Sequence, residues 1–378
     1  MGWTAYQGAI AVVMVITGSI NTLSTKWADG MVSEGADGEK RQFNHPFVQA
    51  CSMFLGEYLC LIAFKAMYFY YWRKHDGSHD QMKLVKGNRT FNPFVLLAPA
   101  MCDMCATSVM YIGLTLTYAS SFQMLRGAVI VFVGIFSMLF LNRRLSFREW
   151  GGIFLVIGGL AIVGLSDVFS PSEHQPRQVI LGDALIIGAQ VVAATQMVLE
   201  EKFVSGLDIP ALQAVGWEGL FGFSILGLLL IPFYYIHVPA PFTNNARGSL
   251  EDAIDAFVQM GNNPLIVCAV TGTVLSIAFF NFAGVTVTKE ISATTRMVLD
   301  SVRTLFIYIV TLALGWQKFF WLQIVGFILL VAGMGLYNDV FAALGVQIQR
   351  CRNRGRGDSD TEPIINRPAD EPDHSILA

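Results

Sequence analysis

Charged residues are scarce in this chain. They make up 14% of its 378 residues, whereas a soluble globular protein carries about 25%. Hydrophobic residues account for 54%, and the mean hydropathy is +0.52. Apolar runs of about 20 residues, long enough to cross a bilayer as helices, recur along the sequence. The composition excludes an ordinary soluble domain and predicts an all-α membrane protein with several transmembrane helices.

Several other features missing from the sequence exclude classes of function. The basic residues form no stripe, which excludes nucleic acid as a partner. Five of the six cysteines fall in apolar runs, so no disulfide framework is expected. Cys102 and Cys105 form a CxxC pair without a second pair, and we interpret them as packing residues rather than metal ligands. The sequence contains no Walker A, HExxH or partnered GxSxG motif, so we predict neither an enzyme nor an ATP-driven pump, and no cofactor.

Ten transmembrane helices are predicted from the apolar runs. Their ranges are 5–25, 46–71, 93–117, 119–141, 150–170, 180–203, 211–236, 263–287, 291–315 and 320–342. Lys and Arg concentrate in the loops on the side of both termini, so the positive-inside rule places both termini in the cytosol. The sequon at Asn88 then faces the cytosol and should stay unmodified.

The second half of the chain repeats the first at an offset of 174 residues. Ala119-Ser-Ser121 meets Ala293-Thr-Thr295, and Gly152 and Gly159 meet Gly326 and Gly333. A repeat of five helices places its second copy upside down in the membrane. We therefore predict two inverted five-helix repeats, residues 1–170 and 171–342, an architecture typical of transporters that bind solute near the middle of the membrane.

Charged side chains inside the predicted spans give the candidate site. The offset of 174 residues equates Arg126 with Asp300, and both are expected to line one central cavity, either as a direct ion pair or with a ligand between them. A purely structural ion pair is the alternative. Arg296, Asp300 and Arg303 share one face of a helix, and guanidinium groups suit phosphate or carboxylate groups.

Further polar residues accompany these charges. Gln123 lies one turn before Arg126, and Tyr111 offers an aromatic surface; both join the predicted substrate-binding set. Glu57, Asp103 and Glu218 are carboxylates within predicted spans, where such groups are functional candidates by default. They are predicted to line the cavity or to carry a coupling proton. Each could instead be a hydrogen-bonded structural carboxylate.

Two segments outside the spans carry their own predictions. In the loop 237–262 we expect a short helix with Ile254 and Phe257 on its apolar face, lying on the bundle or on the lipid surface. Residues 343–378 form a predicted disordered cytosolic tail. Its Asp360, Ile364 and Ile365 resemble an acidic dileucine sorting signal, which would bind a sorting adaptor and direct the protein to late endosomes or lysosomes.

Several stretches resemble the drug/metabolite transporter superfamily and, within it, solute carrier family 35, the nucleotide-sugar transporter family. They include 18–24, 123–130, 196–204 and 218–223, and the most specific is 288–303. The resemblance implies a ten-helix carrier with cytosolic termini in an endomembrane. It also implies that a basic residue in the fourth helix contacts a nucleotide phosphate, and Arg126 matches that position.

The sequence therefore predicts a secondary or exchange-type carrier of an anionic or polar organic metabolite, such as a nucleotide, nucleoside or nucleotide-sugar. A proton-coupled carrier of a cationic or vitamin-like solute, and a membrane scaffold that does not transport, remain the alternatives. Late endosomes or lysosomes are the expected location, with Golgi and mitochondrial membranes as alternatives. The oligomeric state is left open between monomer and homodimer.

Overall fold

Helices lie within every one of the ten predicted spans. The computed structural model describes residues 4–73, 87–88, 90–117, 119–140, 144–169, 176–239, 245, 247–290, 293–315 and 321–337. The predicted tail, with Asp360, Ile364 and Ile365, lies outside the described residues.

Twelve α-helices make up the described chain. They are α1 Ala5–Asp29, α2 Pro46–Arg73, α3 Leu97–Leu116, α4 Ala119–Leu125, α5 Val129–Phe140, α6 Phe147–Phe169, α7 Pro176–Glu200, α8 Ala211–Tyr235, α9 Ala253–Asn262, α10 Pro264–Glu290, α11 Ala293–Ala313 and α12 Trp321–Tyr337. A 3-10 turn precedes α3 at Pro93–Leu96, another joins α4 to α5 at Arg126–Ala128, and a π-turn extends α7 at Glu201–Ser205.

Among the described residues, seven helices are long and apolar enough to cross a membrane. They are Tyr6–Asp29, Pro46–Arg73, Pro93–Leu116, Phe147–Ser166, Arg177–Val204, Ala211–Tyr235 and Pro264–Val287. Three shorter apolar segments, Arg126–Phe140, Val302–Ala313 and Trp321–Tyr337, fall within the other three predicted spans. A membrane bundle is thus supported by length and composition, while the count of ten spans stays a prediction.

The helices pack mainly in four pairs. α6 lies against α12, α1 against α10, α2 against α8, and α3 against α7. Each pair joins one helix from each predicted repeat, so the segments 1–170 and 171–342 interleave rather than form two separate bodies.

Glycines allow the α6–α12 pair to approach closely. A Cβ atom on Gly152 would lie 2.7 Å from the carbonyl oxygen of Gly333, and one on Gly159 would lie 2.8 Å from that of Gly326. These contacts leave no room for a side chain. Small residues serve helix association in membranes in this way, because lipid and Leu side chains are equally apolar and close van der Waals packing has to supply the attraction.

A small β-hairpin, which the sequence analysis did not predict, interrupts the helical fold. Strand β1, Val32–Glu34, pairs antiparallel with β2, Lys40–Gln42, in the connection between α1 and α2. The strands span three residues each, too short to give the alternating apolar pattern by which strands are recognised.

The short helix α9 packs on this hairpin through its polar face. Asp252 caps the helix by accepting a hydrogen bond from the backbone N–H of Asp255 at 3.0 Å. Asp255 and Gln259 are buried, while Ile254 and Phe257 are 58% and 65% exposed. The helix also packs on the bundle, where Ala256 joins Ile266 and Ala269 of α10 in a small hydrophobic core, while hydrogen bonds to the hairpin hold its polar face inward.

Four side chains, Arg41, His45, Glu251 and Asp255, form what we call the loop cluster. It joins the α1–α2 connection to the α8–α10 connection. His45 Nδ1 lies 2.7 Å from Glu251 Oε1, and its Nε2 lies 3.5 Å from Asp255 Oδ2. Arg41 Nη2 lies 3.0 Å from Asp255 Oδ1. The other Glu251 oxygen accepts the backbone N–H of Phe47 at 2.9 Å, in the first turn of α2.

The loop cluster is built around a charged histidine. Burial by itself would lower the pKa of His45, but the hydrogen bonds to Asp255 and Glu251 outweigh it and raise the pKa to about 9. Burial would likewise raise the pKa of Asp255, yet the hydrogen bonds from His45, Arg41 and the Ala36 N–H hold it below its usual range. At neutral pH the cluster therefore contains an imidazolium between two carboxylates.

The close approach of α6 and α12 predicts that alanine substitutions at two neighbouring glycines, Gly158 and Gly159, differ sharply in their effect on stability. Gly159→Ala should destabilise the bundle by about 1–3 kcal/mol, because the added methyl group meets backbone atoms that cannot move aside. Gly158→Ala is the matched control, since a Cβ atom there meets nothing within 4 Å. Thermal unfolding of the two purified variants checks the contrast, and equal melting temperatures would contradict it.

The loop cluster predicts that stability falls at alkaline pH. Because the pKa of His45 is raised from 6.5 to about 9, its contribution is fully present below pH 6.5 and disappears as the pH rises through 9. The loss should be on the order of 3 kcal/mol, since each unit of pKa corresponds to about 1.4 kcal/mol. Melting temperatures measured between pH 6 and 10 check this.

Two variants test whether the loop cluster causes that loss. Asp255→Asn should lower the melting temperature at pH 7 and flatten its alkaline decline, because His45 and Arg41 lose their shared carboxylate. Asp37→Asn is the control: Asp37 also pairs with Arg41, at 2.6 Å, but on the exposed side, so it should change little. An unchanged pH profile in Asp255→Asn would refute this origin.

Candidate functional site

A cavity of about 200 Å³ lies inside the bundle. Side chains from α1, α2, α3, α7, α8, α10, α11 and α12, and from the segment Phe122–Ile130, line its wall. Eight of the nine predicted site residues that lie in the described helices are on this wall: Glu57, Asp103, Tyr111, Arg126, Glu218, Arg296, Asp300 and Arg303. The ninth, Gln123, is on α4, but its side chain lies outside the described residues.

Two sets of charged side chains line the cavity. The first consists of Arg126, Arg296 and Arg303 together with the carboxylate Asp300, and we call this set of four residues the guanidinium group. Arg303 is 4% exposed, and its Nη2 lies 3.5 Å from Asp300 Oδ1. Its guanidinium carbon also lies 4.6 Å from the ring centre of Phe280, an arrangement in which the ring faces stabilise a cation. The Nε atoms of Arg296 and Arg303 are buried without a hydrogen-bond partner.

Arg126 sits where the helix geometry changes. The chain passes from α4 into a 3-10 turn at Arg126–Ala128 and resumes as α5 at Val129. The Arg126 guanidinium lies 5.8 Å from the ring centre of Phe122. Although Arg126 and Asp300 line the same cavity, the ion pairs found among the described residues join Asp300 to Arg303 and not to Arg126. Whether a ligand lies between Arg126 and Asp300 stays a prediction.

The second set is the carboxylate group: Glu57, Asp103, Glu200 and Glu218. Neutral donors hydrogen-bond three of them. Asn281 donates to Glu57, Thr107 Oγ1 to Asp103 at 3.1 Å, and Gln196 Nε2 to Glu200 at 2.7 Å. Glu218 is 6% exposed, and its Oε1 has no hydrogen-bond partner.

Tyr111 is buried in the described bundle. Its hydroxyl group donates to the sulfur of Met53, and its ring packs with the main hydrophobic core. The residue reaches the cavity wall as an aromatic surface rather than as a polar contact.

Several polar residues of the cavity wall are not among the predicted site residues, and two of them, Glu200 and Asn281, belong to the carboxylate group or contact it. Glu200 lies at the end of the apolar run of α7, yet it lines the cavity. Asn281 lies in the middle of α10 and holds Glu57. An amide in the middle of an apolar span is the signal that could have identified Asn281, since buried polar groups require partners. Glu200 has no comparable signal, because its burial depends on how the neighbouring helices pack.

Comparisons with known proteins bear on this cavity. A family model described as Solute carrier family 35 matches residues 12–240. The mouse protein named Solute carrier family 35 member F6 is 55% identical over 347 residues, covering 91% of each chain. The chain belongs to solute carrier family 35, in its F subfamily. Members of this family are membrane transporters rather than enzymes, so this solute carrier is a multi-pass membrane transporter, as the sequence analysis predicted.

Two more distant similarities accompany these. A UDP-galactose transporter from Schizosaccharomyces pombe is 27% identical over 173 residues, which are 43% of this solute carrier and 46% of that protein. A solved protein structure superposes with a TM-score of 0.53 at 13% identity, covering 90% of this solute carrier and 99% of the solved chain. At that identity the superposition shows a shared fold alone.

The arrangement at Arg126 predicts that this side chain is dispensable for folding. Arg126→Ala should cost less than about 1 kcal/mol of unfolding free energy, because among the described residues Arg126 has a contact with the Phe122 ring and no carboxylate within ion-pair distance. The melting temperature of the purified variant checks this. Arg303→Ala is the comparison: it removes a buried cation that faces both Asp300 and Phe280, and it should cost more. Collapse of the fold in Arg126→Ala would favour the structural ion pair instead.

Proposed function

We propose that this solute carrier transports an anionic or polar organic metabolite by alternating access around the cavity, as a secondary or exchange-type transporter. The observation that carries the proposal is the guanidinium group. Three guanidinium groups and one carboxylate line the cavity wall, and two of the guanidinium Nε atoms are buried without hydrogen-bond partners among the described residues. Buried donors normally have partners, and a phosphate or carboxylate group on a solute would supply them.

The architecture we propose for this transport is two inverted five-helix repeats, residues 1–170 and 171–342. The packing of the helices supports it. In this architecture α1 corresponds to α7, α2 to α8, α3 to α10 and α6 to α12. Exchanging corresponding helices converts the pair α1–α10 into the pair α7–α3. It converts the pairs α2–α8 and α6–α12 into themselves. The contact of Gly152 with Gly333 likewise becomes that of Gly326 with Gly159. A pseudo-two-fold relation of this kind lets one half rock against the other.

The loop cluster contributes to this proposal as the connection between halves at one end of the bundle. His45 and Arg41 belong to the first proposed repeat, while Glu251 and Asp255 belong to the second. We propose that this end faces away from the cytosol, because the charge pattern of the sequence predicts that the basic loops and both termini are cytosolic. Rocking of the halves would have to move or break these ion pairs.

The substrate we favour within this class is a phosphorylated or nucleotide-type metabolite. The partial similarity to a UDP-galactose transporter supports it, as does the position of Arg126 in the stretch that resembles the family's phosphate-contacting helix. We propose a late endosomal or lysosomal membrane as the location, with the tail signal at Asp360, Ile364 and Ile365 read by a sorting adaptor.

A binding screen tests the proposal. Melting temperatures of the purified full chain are measured with a panel of nucleotides, nucleosides, nucleotide-sugars and organic phosphates. A ligand at a hundredfold excess over its Kd stabilises the folded state by about 2.7 kcal/mol, so the hit should raise the melting temperature by several degrees. Arg126→Ala should lose this increase while folding normally.

The matched control is Arg144→Ala, which removes an exposed arginine that does not line the cavity and should keep the full response. Hits are then tested for uptake into liposomes that contain the protein. A panel without any stabilising compound and without flux would favour the non-transporting scaffold. Flux of a cationic solute that depends on a pH gradient would favour the proton-coupled alternative.

A further inference from the structure

The carboxylate group of the cavity lacks a counter-charge. Glu57, Asp103, Glu200 and Glu218 come from four helices and interact electrostatically with one another. The hydrogen-bond donors that reach them are the amides of Asn281 and Gln196 and the hydroxyl of Thr107. Among the described residues, no Lys, Arg or His nitrogen lies within 4 Å of any of the four.

The lack of a neighbouring cation is unusual for carboxylates buried inside a protein. Asp and Glu are almost never buried unless a cation or a metal accompanies them. The loop cluster of the same protein shows the ordinary solution, in which His45 and Arg41 accompany Glu251 and Asp255. In the cavity, by contrast, the Oε1 atom of Glu218 is buried and has no hydrogen-bond partner among the described residues, although its residue lines the space that a solute would occupy.

The carboxylate group also lies beside the guanidinium group. Asp103 interacts electrostatically with Arg296 and Arg126, and Glu218 interacts with Arg296, yet none of these contacts is close enough to be an ion pair. The cavity therefore presents separated charges of both signs toward one space. A solute with a single anionic group would satisfy the guanidinium group and leave the carboxylates unmatched.

We propose that the transported solute is zwitterionic, with an ammonium group held by Glu218 and its neighbouring carboxylates while a phosphate or carboxylate group contacts the guanidinium group. This inference rests on the proposed function and deepens it. A metal ion is a poorer match, because no group of three His, Cys, Asp or Glu side chains in the described chain is arranged to hold one. An ammonium group offers three donors, which suits carboxylates supplied by several helices.

Two series of matched compounds distinguish the contribution of the ammonium group to binding from that of the anionic group. The first series consists of three compounds with a two-carbon skeleton. Phosphoethanolamine carries both charges, ethyl phosphate carries the anionic group alone, and ethanolamine carries the ammonium group alone. The second series is phenylalanine, N-acetylphenylalanine and phenylalanine amide, which place a carboxylate in the anionic position. Apparent Kd values are obtained from the melting temperature of the purified full chain as a function of compound concentration, at pH 7.

The zwitterion of at least one series should bind about tenfold or more tightly than its anion-only partner, because charge-assisted hydrogen bonds to the ammonium group are added. Glu218→Gln should remove this preference by weakening the zwitterion about tenfold or more while leaving the anion-only compound unchanged. Asp183→Asn is the control: Asp183 is a buried carboxylate outside the cavity that accepts from Thr117 at 2.7 Å, and it should keep the preference.

The outcomes separate this inference from the proposed function. Anion-only compounds that bind as well as the zwitterions, with Glu218→Gln bound like the wild type, would overturn the zwitterionic solute and leave the anion carrier standing. The same holds if ethyl phosphate binds more tightly as the pH falls, since protons would then be the missing counter-charge. Failure of all six compounds, with an anionic hit in the broader panel, also overturns the inference, whereas failure of every compound in both experiments overturns the proposed function.

Discussion

The cost of placing charge inside an apolar helix bundle is the constraint on which the site depends. A charged side chain at the centre of a membrane costs several kcal/mol even on the mildest scales. This chain nevertheless places Arg126, Arg296 and Arg303 and five carboxylates on one internal wall. Such a set persists only where the charges face one another, aromatic rings or a space that a polar ligand and water can fill.

Two clusters of charge in this protein meet that constraint differently. In the loop cluster every charge has a direct partner, and the buried His45 bridges Glu251 and Asp255. It therefore fastens two connections together. In the cavity, Arg303 is offset in part by Asp300 and by the ring of Phe280, while other polar atoms stay without partners. The first arrangement is typical of structure and the second of a binding site, because an unsatisfied buried group is destabilising unless a ligand completes it.

Close helix packing provides the frame that holds these charges. Gly152, Gly159, Gly326 and Gly333 bring α6 and α12 into backbone contact, and α6 contributes no side chain to the cavity wall. Its partner α12 does line the cavity, through Phe327, Leu330 and Met334. Side chains carried by helices packed this closely are held at a defined position, as a binding site requires.

The sequence by itself determined the membrane class, the positions of the helices and the identity of most cavity residues. It could do so because long apolar runs have few alternative structures in a bilayer, and because a charge such as Arg126 or Asp300 stands out within such a run. It also identified the family, through stretches that cover most of the chain.

Only the tertiary structure decided which charges become partners. Asp300 is matched with Arg303 rather than Arg126, Glu200 turns into the cavity, and a polar face of α9 meets a hairpin whose strands are three residues long. These outcomes depend on contacts between helices far apart in the chain. The pattern along one helix states which residues share a face, but the neighbour that this face meets is set by the packing of the whole bundle.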